Sequence, residues 1–140
     1  MLCSETLFCF LQLIKTLSDV LYHGANSAVV RQQAGVQLKN FLYTNDESLR
    51  AQYEQRWLEM PEDVRLYTKN NVLGSLGTES FRPSAAAQCI QLIAMVELPK
   101  QMWPNLLTTL VQVSQSPDFF LNSEYKLFIC VRSNYTFLRM

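Results

Sequence analysis

The feature that most constrains this chain is an apolar stripe at helical spacing with almost no bulk at its centre. Val30, Ala34, Leu38, Phe41 and Leu42 recur at intervals of three and four, while Arg31, Gln33, Gln37 and Lys39 are expected to point elsewhere. Ala34 and Gly35 sit in the middle of that stripe. A glycine inside a helix costs roughly 1 kcal/mol relative to alanine, so it marks a place where another element comes close. A helix of this kind is built to be packed upon.

Its neighbours in sequence carry matching patterns. Leu7, Leu11, Ile14, Ser18 and Leu21 line one face of a helix expected over roughly Ser4 to Tyr22, with Ser4-Glu5 as its cap. Gly24 then suits the left-handed residue beyond a helix end, and Ser27 caps the next helix. A shorter helix from Ala51 to Met60 carries Tyr53, Trp57 and Leu58 inward, with Trp57 as a packing anchor worth on the order of 1.5–3 kcal/mol. Pro61-Glu62-Asp63 starts a helix that runs to about Leu76, with a stripe of Leu66, Val72, Leu73 and Leu76 interrupted by Lys69. After Phe81-Arg82-Pro83-Ser84, a helix apolar on several sides places Ala86, Cys89, Ile90, Ile93 and Val96 on one face. The last stripe is Trp103, Leu106, Leu107, Leu110 and Val111.

Composition narrows what such helices can do. With 49% hydrophobic residues the 140-residue chain carries a substantial core, and twelve Lys and Arg balance twelve Asp and Glu. A neutral chain lacks the positive field that draws proteins to phosphate backbones, so nucleic acid is not expected as a partner. Asp46, Glu47, Glu54, Glu59, Glu62 and Asp63 crowd one stretch, read as a solvated connection between buried helices. The four cysteines show no C-x-x-C spacing and the single histidine, His23, has none near it, which argues against zinc and for reduced thiols. Residues 6–14 are apolar but too short and too interrupted to cross a bilayer, which takes about 20 apolar residues, and they lack the cationic start of a signal peptide. One histidine in a turn, no G-x-S-x-G and no phosphate-cradling glycine loop leave no reaction centre: neither an enzyme nor a cofactor is expected.

Helices of ten to eighteen residues with short connections describe an all-α chain of stacked antiparallel pairs. Small-residue helices beginning at Ser27 and Ser84 recur at about 55 residues, longer than the ~40–47 of common helical repeats because of the acidic connection. An α-solenoid of HEAT-type helix pairs, about two and a half repeats long, is the expected architecture. Residues 1–113 form the repeat region, and residues 114–140, rich in Phe, Tyr, Ile and Val without helical period, form a divergent and irregular tail.

Several motifs carry a family resemblance. Ala34-Gly-Val-Gln-Leu-Lys-Asn40, Ala51-Gln-Tyr-Glu-Gln-Arg-Trp-Leu58, Leu76-Gly-Thr-Glu-Ser-Phe-Arg-Pro-Ser84, Ala87-Gln-Cys89 and Trp103-Pro104 closely resemble the N-terminal HEAT repeats of the importin-β (karyopherin-β) family, in order, over roughly Leu11 to Val113. The resemblance implies a nuclear transport receptor, in truncated or variant form, whose N-terminal repeats grip the GTPase Ran in its GTP state, with other transport factors binding further along. It implies residence in the cytoplasm, the nucleus and the nuclear pore, without membrane insertion. Lys39-Asn40 stands where the family has a Lys-Asn pair and Lys69-Asn70 matches a second, so these four are the expected Ran contacts. A further basic position of the family is Asn45 here. The alternative is a generic helical-repeat scaffold, or a shortened product without transport activity.

Overall fold

The computed structural model describes residues 4–114, residue 82 apart. Six α-helices follow one another: α1 (Ser4–Tyr22), α2 (Ala28–Leu42), α3 (Glu47–Glu59), α4 (Glu62–Ser75), α5 (Ala85–Glu97) and α6 (Leu106–Ser114), with a 3-10 turn at Leu98–Lys100. Helix α1 packs on α2 and α4, α2 on α5, and α4 on α5. These contacts arrange the helices in two layers, α1 beside α4 and α2 beside α5, with α3 bridging at one end. The result is a short α-solenoid of HEAT-like pairs. The expected tail at residues 115–140 lies outside the described residues.

Local chemistry sets the ends of these helices. The Ser27 hydroxyl accepts from Val30 N at 3.3 Å and the Asp46 carboxylate from Ser48 N at 3.0 Å. Each cap satisfies an amide that the first turn cannot pair internally. Helix α5 has two caps: Ser84 Oγ accepts from Ala87 N at 3.1 Å, and the buried Glu79 carboxylate accepts from Ala85 N and Ala86 N, both at 3.1 Å. An anion at this end also meets the positive pole of the helix. Gly77 ends the α4 connection at φ +81°, in the left-handed region that glycine enters without strain.

The core runs along the seam between the layers. Ile14 and Leu21 of α1, Leu38 of α2, Val72 of α4 and Ile90 and Ile93 of α5 are buried, with Leu106 and Leu110 of α6. A Cβ built on Gly35 would lie 2.5 Å from Ala85 Cβ and 3.3 Å from Leu21 Cδ1, so the small residues of α2 mark a close approach to α5, as the sequence led one to expect. Helix α5 is buried on several sides, with Ala85, Ala86, Ala87, Cys89 and Ala94 all inside.

Three expectations about faces are overturned. Val30 is 48% exposed, and Arg31 occupies the buried stripe in its place. Arg31 Nε donates to the Leu21 carbonyl at 2.8 Å, while Nη1 and Nη2 donate to the Thr78 carbonyl and hydroxyl at 3.1 and 2.6 Å, which joins the ends of α1 and α4. Leu66 is 52% exposed and Lys69 is buried, so the inward stripe of α4 is Val64, Thr68, Lys69, Val72 and Ser75. A buried carboxylate on α5 draws Lys69 in. Leu7 is exposed because the first turn of α1 has no described neighbour over it. The acidic stretch is exposed at every one of its six acids, as expected, and its short helix begins at Glu47 and not at the expected Ala51, because Asp46 caps it there.

Candidate functional site

The strongest polar cluster in the described structure grows from the C-terminal end of α5. Glu97 is completely buried, and a carboxylate there is stable only with partners that replace water. Lys69 Nζ donates to Oε2 at 2.9 Å, Trp57 Nε1 donates to Oε1 at 3.2 Å, and Arg65 Nη1 lies 3.7 Å from the same oxygen. Lys69 Nζ also stands 5.1 Å from the centre of the Trp103 ring, within cation–π range. One anion therefore faces two cations, leaving a net positive charge at the base of the surface above it.

That surface is a cleft of about 670 Å³ between α4 and the start of α6. Its α4 wall carries Arg65, Leu66, Lys69 and Asn70, and its opposite wall Trp103, Asn105 and Thr109. Asn70 and Leu66 are exposed on the rim. The Lys69 ammonium is turned toward Glu97, so it acts on anything in the cleft through its field and its stem, not as a free donor.

The other Lys-Asn pair lies elsewhere. Lys39 and Asn40 line a groove of about 410 Å³ between α2 and α5, in the opposite layer. The structure thus brings Lys39 together with Asn40, and Lys69 with Asn70, but does not bring the two pairs onto one face. Asn45 lines the same groove as Lys39.

Glu97 was not among the sequence-derived candidates, and neither were Arg31 and Glu79. Arg31 carried a readable signal: with Ala34, Gly35 and Leu38 it falls at helical spacing, on the stripe itself. Glu97 read as part of a Glu-Leu-Pro helix stop. Among the described residues no group of His, Cys, Asp and Glu is placed to hold a metal ion. No described helix is long and apolar enough to cross a membrane. Burial pushes the Cys89 thiol far above its usual range, which leaves it an inert core residue.

Two layers of short helices with open clefts along them define a helical-repeat protein, a short α-solenoid of HEAT-like pairs. The family model described as Importin-beta N-terminal domain matches residues 6–78, and the chain belongs to the importin-β family. It is 31% identical over 103 residues to importin subunit beta-1 of Schizosaccharomyces pombe and 35% identical over 104 residues to that of Saccharomyces cerevisiae. Each match covers 73% of this chain and 12% of the relative. A further match, 31% identical over 83 residues, is to importin subunit beta-1 of Arabidopsis thaliana; it covers 58% of this chain and 9% of that protein. The chain therefore spans about an eighth of the length of the first two relatives.

Proposed function

We propose that this chain is the N-terminal, Ran-GTP-docking segment of an importin-β-type receptor that acts in nuclear protein import. It works by surface complementarity and not by catalysis, and it moves between cytoplasm, nuclear pore and nucleus. The observation that carries the reading is an open cleft between α4 and α6 with a positive base and an amide and an apolar side chain on its rim, in a chain of this family. A GTPase whose switch segments are ordered by the γ-phosphate offers such a cleft a surface that exists in one nucleotide state only. Asn70 supplies hydrogen bonds, Leu66 an apolar contact, and Lys69 and Arg65 the electrostatic complement. Lys39 and Asn40, the other Lys-Asn pair, line the groove between α2 and α5.

The test is capture of Ran, loaded with GTP or with GDP, on the immobilised chain. GTP-loaded Ran is retained and GDP-loaded Ran is not; equal retention of both, or of neither, overturns the reading. Retention is weak, because the chain presents a small part of the surface available to its longer relatives. Leu66→Glu abolishes it and Asn70→Ala weakens it several-fold, both at sites exposed enough to leave the fold intact.

A further inference from the structure

We propose that Met102 is a site of reversible oxidation, and that Arg65 receives the oxygen of its sulfoxide. The Arg65 guanidinium is poorly satisfied. Its Nε is buried and makes no hydrogen bond, and its Nη1 stands 3.7 Å from Glu97 Oε1, too far for a good one. What Nη1 does meet is the Met102 sulfur at 4.0 Å, and a thioether is a weak acceptor. A buried donor in this state costs free energy, and it gains from any stronger acceptor placed beside it.

The backbone holds Met102 in that place. Gln101 turns the chain at φ +58° and Met102 N donates to the Glu97 carbonyl at 3.1 Å, which sets the side chain on the wall of the cleft between α4 and α6. Met102 is half-buried there, open to a small oxidant entering the cleft. With hydrogen peroxide the sulfur gives a lone pair to one oxygen, the O–O bond breaks, and the departing hydroxide takes the proton from the transferred oxygen and leaves as water. Sulfur loses two electrons and peroxide gains them; a thiol-based sulfoxide reductase reverses the step, its thiols becoming a disulfide and the oxygen leaving as water. In an apolar core the new oxygen disrupts packing. Here it is one bond from a sulfur already beside Nη1, and it accepts a charge-assisted hydrogen bond stronger than the one it replaces. The inference holds whatever occupies the cleft.

The experiment treats the full chain with hydrogen peroxide, locates the added oxygen by mass spectrometry of digests, and follows thermal unfolding of the intact protein. Met95, 54% exposed, reacts first and Met102 next, both before Met60, which is 6% exposed. Parallel oxidation of Met102→Leu subtracts what the other methionines contribute. After that subtraction the Met102 sulfoxide raises the unfolding midpoint by about 2–4 °C, and in Arg65→Ala, where the oxygen has no donor, it lowers the midpoint. A methionine sulfoxide reductase returns both mass and midpoint. Arg65→Ala leaves Lys69 and Trp57 on Glu97 and is expected to fold. If it does not, Met102→Gln, with an amide oxygen in place of the sulfoxide oxygen, raises the midpoint of the unoxidised chain and Met102→Leu does not. Met102 unoxidised until Met60 reacts, a midpoint that fails to rise with either the sulfoxide or the glutamine, the same shift with and without Arg65, or a sulfoxide that the reductase leaves in place overturns the inference.

Discussion

Glu97 shows how much one side chain decides. Its carboxylate is joined to Lys69, Arg65 and Trp57, and removing one member of a buried charged set leaves the others desolvated and unpaired, at a cost of about 3–5 kcal/mol. Glu97→Ala is expected to lower the unfolding free energy, read by urea denaturation, by about 3–5 kcal/mol, an effect comparable with the whole stability of a small domain. Changing Glu97 and Lys69 together to apolar residues recovers part of the loss, and a double-mutant cycle measures how much. Tyr67 makes a milder statement about pH. It donates its hydroxyl to Asp19, and that bond holds its pKa above the usual value of about 10. The folded value is thus the higher one, so the contribution is present below the unfolded pKa and is lost as pH rises through the folded one. A difference titration of phenolate absorbance against Tyr67→Phe detects this late-ionising tyrosine. Cysteine labelling gives a third reading: Cys9 is exposed and alkylates in the native protein, whereas Cys89 alkylates only after denaturation.

At the scale of helices, two glycines respond oppositely to the same change. Gly35→Ala puts a methyl group 2.5 Å from Ala85 Cβ, an atom fixed to the α5 backbone, and overpacking of this sort costs about 1–3 kcal/mol, more than the roughly 1 kcal/mol of added helix propensity. Gly74→Ala meets the Tyr22 ring, which is 47% exposed and able to swing aside, so propensity wins and the protein gains up to about 1 kcal/mol. Thermal unfolding of the two variants moves in opposite directions. The helices themselves were legible in the sequence: α1 and α4 lie within a residue or two of the positions that stripe and cap residues announce, because capping and periodicity are local signals. What could not be read was which charges face inward. Arg31 takes its inward place by bonding to Thr78, 47 residues away, and Lys69 to Glu97, 28 residues away. Periodicity assigns charged residues to solvent by default and is blind to partners at that distance. The division of the two Lys-Asn pairs between layers was hidden for the same reason, since it follows from how α2 and α4 stack and not from either helix alone.

For the whole molecule, stability is a sum of helix-pair terms and the interfaces between neighbours. With few pairs the sum is small, and a broad thermal transition is expected. The start of α1 leaves Leu7 44% and Phe8 67% exposed, apolar surface open to a second copy of the chain. The apparent mass by light scattering should rise with concentration, and Leu7→Ser with Phe8→Ser should suppress the rise; a mass independent of concentration would contradict it. The cluster around Glu97 has a kinetic corollary. Its members come from α3, α4, α5 and the stretch before α6, so no short piece of chain can assemble it. It behaves as a latch that closes after the helices have docked, and damage to it shortens the lifetime of the native state while leaving the rate of its formation almost untouched.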